Sequence, residues 1–305
     1  MKKIKIGLIA PADSFPKKKF YTAKTNLQKY LPEAKIIIPK NIFKCYGLFA
    51  GITYERIKDV NYIINKQPDL VMAIKGGYGS ARLLDDIDYK KIKKNKIKFI
   101  GYSDFTAILL AINQISKIPT FYGYMLISDF YQKVYKRQIE LLKTILSEKE
   151  LHYCLPAKII KRGTGLTELN GKSIAGCLSL ISASAGTKFF KQYETDNIMF
   201  IEDWNEEPYR IDRMLTHLKN AGVFSKTKCL FIDFKGCKPS FKNRGALSVN
   251  QTLLDLFKDT GFPIINFPYF GHRQNRIIIP IGVDTEIYIK GSVCNILFTK
   301  VRLSG

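Results

Sequence analysis

Short apolar runs alternating with segments of helical spacing constrain this chain more than any other feature. Residues 4–9 are apolar apart from Lys5 and read as a buried strand that ends in a loop at Pro11. Residues 34–38 read as a second strand, stopped by Pro39, and 70–74 and 98–101 as a third and fourth. Between them, 20–30, 53–66 and 106–115 carry helix signals. In 53–66 the apolar Ile57, Val60, Ile63 and Ile64 recur on one helical face. Strands alternating with helices of this length predict parallel pairing through right-handed crossovers. Ligands in such sheets sit beyond the carboxyl ends of the strands. Two glycine-containing turns lie at such ends, one at Gly76 and one at Gly101.

The chain has 305 residues, 46% of them hydrophobic, enough for two domains of ordinary size. The expected division is an N-terminal α/β domain over residues 1–148, a linker over 149–165, and a C-terminal α/β domain with its own sheet over 166–305. The linker is placed where regularity fails, around Pro156 and Lys161-Arg162-Gly163-Thr164-Gly165. Beyond it, 197–201, 229–234 and 264–267 read as strands and 210–221 as a helix. The alternating tail, 285–303, is expected to be antiparallel.

Several function classes fall away. No run reaches the roughly 18 apolar residues that a membrane helix needs. The basic and then apolar N-terminus is too short in its apolar part for a secretory signal, and Lys5 interrupts it. A cytoplasmic protein without a membrane segment is expected. The six cysteines, Cys45, Cys154, Cys177, Cys229, Cys237 and Cys294, are scattered without a C-x-x-C pair and read as reduced thiols. With three scattered histidines, they offer no metal site, and no cofactor is expected. The net charge of +23 is spread as lysine along the whole chain. It reads as solvated surface, not as a specific nucleic-acid face, since arginine, the usual base reader, is much the rarer cation.

In Gly101-Tyr102-Ser103-Asp104, a strand ends and a helix begins about Asp104. A serine in such a sharp turn matches a nucleophile elbow, with the Asp104 N–H at a helix start where it can stabilise an oxyanion. On local sequence alone, Ser103 reads equally as a helix cap. The Gly76-Gly77-Tyr78-Gly79 turn can bring backbone N–H groups close to a ligand, without matching a phosphate-loop spacing. Of the three histidines, His217 lies inside a helix and His152 in the expected linker. His272, after Gly271 in a polar loop, is the best candidate base. Glu202 and Asp203 close an apolar strand and are candidates to orient it, with Glu206 and Glu207 competing.

At these residues the chain resembles the LD-carboxypeptidase (muramoyltetrapeptide carboxypeptidase) family. The resemblance rests on the turn at 76–84, on Gly101-Tyr102-Ser103-Asp104 with Thr106-Ala107, and on Ala185-Gly186-Thr187. It continues through Phe200-Ile201-Glu202-Asp203, Glu207-Pro208-Tyr209-Arg210-Ile211-Asp212-Arg213, Gly271-His272 with Asn275, and Pro280-Ile281-Gly282. These blocks keep the family's order over nearly the whole chain.

The resemblance implies a triad of Ser103 as nucleophile, His272 as base and Glu202 as orienting acid, contributed by both domains. It implies an oxyanion hole from the N–H groups of Asp104 and Gly77. It also implies a homodimer and removal of terminal D-alanine from a murein tetrapeptide, or a related muropeptide, in cell-wall recycling. Ser80 and Arg82 are candidates for the D-alanine carboxylate, and Arg82 reads equally as a structural ion pair. The chain departs from the family's usual pattern at Lys75, at Tyr122-Gly123-Tyr124 and at Ala175-Gly176-Cys177-Leu178. Microcin-immunity relatives, which cleave aminoacyl-nucleotide amides, are the nearest alternative, and Trp204 is a candidate stacking residue for a base. A non-catalytic small-molecule binder is the third reading.

Overall fold

The four expected apolar segments pair as parallel strands, β1 (Lys5–Ile9), β2 (Lys35–Ile37), β3 (Leu70–Ala73) and β4 (Lys98–Gly101), and a fifth that the sequence reading did not single out, β5 (Thr120–Tyr122), joins them. They run in the order β5-β4-β3-β1-β2 in a computed structural model that describes residues 4–164, 168–191, 193–239, 245 and 247–299. The register sets Ile6 against Leu70, Val71 against Phe99 and Ile100 against Phe121. All four residues of β3 and of β4 are buried. That is the pattern of a parallel sheet covered on both faces, and it explains why these strands read as continuous apolar runs.

The connections are helical: α1 (Lys17–Tyr30), α2 (Thr53–Asn65), α3 (Tyr89–Asn95) and α4 (Thr106–Ser116), followed by α5 (Leu126–Phe130) and α6 (Lys136–Leu146). The face of α2 that the spacing predicts is the one buried, at Ile57, Val60, Ile63 and Ile64. Helix α4 is buried nearly all round, which suits a helix inside a large core.

The chain divides into two compact units, with the break between Lys149 and Glu150. The second unit has its own sheet, in the order β6-β14-β13-β8-β9-β10-β11-β7. Its strands are β6 (Leu151–Pro156), β7 (Lys158–Lys161), β8 (Glu168–Cys177), β9 (Asn197–Trp204), β10 (Thr227–Lys235) and β11 (Ile264–Asn266). They continue with β13 (Asp284–Lys290) and β14 (Val293–Phe298), after a short β12 (Ile279–Ile281) that is not part of this order. Strands β8 to β11 are parallel neighbours, linked by α7 (Leu178–Ser184), α8 (Pro208–Asn220) and α9 (Val249–Leu256). The outer pairs are antiparallel, including the β13–β14 hairpin in the tail. The stretch 149–165, expected as a linker, contains β6 and β7, which stand at opposite edges of this sheet. Its last residue, Gly165, lies outside the described residues, as does the end of the tail beyond Thr299.

The centre of the second sheet is dense. Ile198, Met199, Phe200 and Ile201 are fully buried, as are Leu230 and Phe231. Phe200 and Phe231, paired across β9 and β10, stack with centroids 4.6 Å apart at 6°. Such a pair adds about 0.5–1.5 kcal/mol to the area it buries. This packing fixes the carboxyl end of β9, where Glu202 and Asp203 stand.

Candidate active site

In the first unit, a 3-10 turn, Ser103–Phe105, joins β4 to α4. Tyr102 is extended, and Ser103 then takes φ +59. A left-handed serine costs about 1–2 kcal/mol and needs local support. Its N–H donates to the Tyr122 hydroxyl at 3.2 Å, and Phe105 N–H donates to the Tyr102 carbonyl at 3.2 Å. Ser103 is not the cap of α4, whose N-cap residue is Phe105. The cap reading therefore does not account for its conformation. Ser103 is partly exposed, between buried Tyr102 and buried Asp104.

The second turn of this unit follows β3 and lies against the first. A Cβ built on Gly76 would stand 3.2 Å from Ser103 Oγ. Gly77 has φ +119, and a Cβ there would meet the Asp13 carboxylate at 2.0 Å, so only glycine fits. Asp13 accepts from Tyr78 N–H at 3.0 Å and pairs with Lys75 Nζ at 3.1 Å. Gly79 N–H and Ser80 N–H donate to the two oxygens of Asp104, at 3.2 and 2.8 Å. Gly77 N–H donates to no acceptor among the described residues.

Ser80, expected among the substrate contacts, is fully buried and gives its hydroxyl to the Asp104 carbonyl at 2.5 Å. Its polar groups are taken up inside the fold. Arg82 is exposed, its guanidinium 4.8 Å from the Phe49 ring and 5.8 Å from that of Tyr78. Asp104 is buried, and burial pushes its carboxyl above the usual aspartate range, against the N–H bonds that favour the anion.

In the second unit, β9 carries Glu202 near its carboxyl end, only 1% exposed. His272 Nδ1 lies 2.8 Å from Glu202 Oε2 and 3.1 Å from Oε1, and His272 N–H donates to Oε2 at 3.4 Å. The loop comes this close because residue 271 is glycine: at φ +65, a Cβ would meet the Glu202 carboxyl carbon at 2.3 Å. A buried carboxylate on Nδ1 fixes the tautomer that leaves Nε2 as the basic nitrogen.

Trp204 stacks on the His272 ring, 5.6 Å apart at 22°, while half of its own surface stays exposed. On β10, Asp233 stands beside Glu202 in register and takes both arms of Arg273 at 2.6 Å. That fork anchors the residue after His272. Lys235 Nζ donates to the His272 carbonyl at 3.3 Å.

The competing acids are engaged elsewhere. Asp203 accepts from Ser179 N–H at 3.0 Å and Trp204 N–H at 2.8 Å, and burial raises its pKa. Glu206 pairs with Arg210 at 3.5 Å. Burial also raises the thiol pKa of Cys177, beside Glu202 in register, and raises that of Cys237 to about 11. His152 lies exposed on β6, and His217 on α8. Among the described residues, no group of three or more His, Cys, Asp or Glu is placed to hold a metal ion, and no helix is long and apolar enough to cross a membrane.

Ser103, Asp104, Gly77, Ser80 and Arg82 thus belong to the first unit, and Glu202 and His272 to the second. Sequence reasoning missed Tyr122, Arg273 and Asp233. Tyr122 carried a signal only as a departure from the usual family residue. The Arg273–Asp233 fork joins residues 40 apart that no local pattern connects.

Comparison with known proteins gives the family. The profile of the LD-carboxypeptidase N-terminal domain matches residues 6–123, and that of the C-terminal domain matches 170–287. The "probable murein peptide carboxypeptidase" of Bacillus subtilis is 33% identical over 291 residues, covering 92% of this chain and 88% of its own. The microcin C7 self-immunity protein of Escherichia coli is 26% identical, covering 97% of this chain and 92% of its own. A muramoyltetrapeptide carboxypeptidase from Oxalobacter formigenes has the same fold at a TM-score of 0.86 and 24% identity, over 97% of this chain and 99% of that one. On both matched domains and a relative 33% identical over 92% of this chain, the chain belongs to the LD-carboxypeptidase family.

Proposed function

We propose that this protein is a serine LD-carboxypeptidase that removes the terminal D-alanine from a murein tetrapeptide. In this reading Ser103 Oγ attacks the carbonyl that precedes D-alanine, and His272 Nε2 takes its proton. The oxyanion is met by the N–H groups of Gly77 and Asp104. The C–N bond then breaks, the proton passes from His272 to the leaving amine, and D-alanine departs. Water, deprotonated by His272, releases the shortened peptide and restores Ser103. Glu202 holds the imidazole and stabilises its charged form, and Arg82 takes the D-alanine carboxylate. The positive surface favours approach of an anionic muropeptide. The same proposal sets the reaction in cytoplasmic murein recycling, in a homodimer without cofactor, membrane segment or nucleic-acid partner.

The observation that carries it is the 2.8 Å bond between His272 Nδ1 and the buried Glu202, on a loop that only glycine lets approach. Support from outside the chain comes from the Bacillus subtilis relative, whose name describes a murein peptide carboxypeptidase. One observation favours a second reading, cleavage of an aminoacyl-nucleotide amide. Trp204 presents a half-exposed indole beside His272, and a relative is a microcin C7 self-immunity protein.

Mass spectrometry of the protein with a murein tetrapeptide, and separately with an aminoacyl sulfamoyl-adenosine, separates the two. Loss of one alanine by the wild type and not by Ser103→Ala is the expected result. Cleavage of the nucleotide alone moves the assignment to the second reading, and equal cleavage by both proteins refutes the nucleophile.

A further inference from the structure

We propose that Asp104 is the positioning residue that sets the oxyanion turn against the nucleophile, with Arg56 as its counterpart on the other side of Gly79. This rests on the reading of Ser103 and Gly77 given above. The two turns, 76–80 and 103–105, are joined through one acidic residue. Asp104 takes Gly79 N–H on one carboxylate oxygen at 3.2 Å and Ser80 N–H on the other at 2.8 Å, and its carbonyl takes the Ser80 hydroxyl at 2.5 Å. Arg56, 2% exposed on α2, donates from Nη1 to the Gly79 carbonyl at 3.0 Å and to the Pro11 carbonyl. Gly79 is therefore gripped at both ends, its N–H by a carboxylate and its C=O by a guanidinium. Asp13 takes the N–H of Tyr78 from another side.

Three consecutive N–H groups, those of Tyr78, Gly79 and Ser80, thus run into carboxylates. The next one back, on Gly77, has no acceptor among the described residues, in a turn that backs directly onto Ser103 Oγ at Gly76. Stability alone does not call for this arrangement. Buried charges are costly to desolvate, and apolar side chains of similar volume hold such a joint as well or better. A carboxylate with two N–H bonds fixes direction, which apolar packing does not. Asp104 also carries the other proposed oxyanion N–H in its own backbone, so one residue spaces both donors.

The test compares Asp104→Asn with wild type. The amide must turn its NH2 toward either Gly79 N–H or Ser80 N–H, so one of the two bonds is replaced by a donor–donor clash. We expect kcat on the tetrapeptide to fall about 100-fold, the usual result of a misplacement near 1 Å, with KM nearly unchanged. A fluorophosphonate probe bonds Ser103 Oγ to phosphorus, releases fluoride and sets its P=O where the oxyanion forms. Its labelling rate at Ser103 is expected to fall in parallel.

Ser80→Ala, which keeps the backbone and removes only the hydroxyl bond, is expected to show the same kcat-only loss at about 10-fold. It carries the test if Asp104→Asn does not fold. Wild-type labelling rate and kcat in folded variants, or a loss confined to KM, overturns the inference alone. A wild type that is not labelled at Ser103 overturns the nucleophile reading and the inference with it.

Discussion

Replacing Gly271 by alanine should uncouple His272 from Glu202 without touching either side chain. Two costs can be read from the geometry. The position has φ +65, where an L side chain costs about 1–2 kcal/mol. The new Cβ would also lie 2.3 Å from the Glu202 carboxyl carbon, where ordinary contact begins near 3.4 Å. Glu202 is 1% exposed at the end of a packed strand, so the loop has to retreat by about 1 Å. The Nδ1–Oε2 distance, 2.8 Å, then opens to about 3.8 Å, beyond hydrogen-bonding range. A 1 Å misplacement costs about 10²-fold in rate, and loss of the carboxylate that holds the tautomer about 10⁴-fold, so kcat should fall between these limits.

Gly291→Ala is the control. Gly291 has φ +60 with nothing within 4 Å of its would-be Cβ, so it carries the backbone cost alone. Both variants should melt below wild type, by about 2–4 °C for each kcal/mol. Only Gly271→Ala should lose turnover in a D-alanine release assay, and it should also lose the downfield imidazole N–H resonance. A folded Gly271→Ala that turns over like Gly291→Ala would refute the His272–Glu202 pair as a working part of the site.

Two further substitutions probe the same machinery. Trp204→Leu removes the indole stacked on His272, and kcat should fall about 2–10-fold with little change in melting temperature, as expected for the loss of one aromatic pair; an unchanged kcat would leave the stack without a role in turnover. Ser103→Gly and Ser103→Ala should both be inactive, but at φ +59 the glycine variant should be the more stable by about 1–2 kcal/mol in chemical denaturation, and equal stabilities would deny the strain at this position.

The elements most legible in the sequence are those whose burial is continuous. Strands β1, β3, β4 and β9 each carry a continuous buried apolar run, at 6–9, 70–73, 99–101 and 198–201, because parallel sheets bury both faces, and such a run records that directly. Strand β8 was less visible: Glu168–Cys177 is half exposed in its first part and carries Gly171 and Lys172. The edge positions of β6 and β7 were not legible at all, since pairing partners more than 100 residues away leave no local trace. Among the site residues, Glu202 and His272 stood out as a strand-end acid and a glycine-flanked loop histidine, and the structure brings them together. Arg56 gave no signal, because a cation in a helical segment reads as solvated. Its burial follows from carbonyls of Pro11 and Gly79, on two other loops.

The candidate site residues of the two units are each held by the same device. In each, a glycine in the left-handed region leaves empty the volume of a Cβ, and a carboxylate group fills it: Asp13 at Gly77, Glu202 at Gly271. A carboxylate seated this way meets backbone N–H groups at close range, Tyr78 N–H for Asp13 and His272 N–H for Glu202. Cations stand one step back, Lys75 on Asp13 and Arg273 beside Glu202. The acids can thus be held close to the backbone that they orient, which a side chain at either glycine would prevent. It follows that substitution at Gly77 or Gly271 acts on the same bonds as substitution of the acids themselves, and that a glycine next to a buried carboxylate belongs in any account of which residues the chemistry depends on.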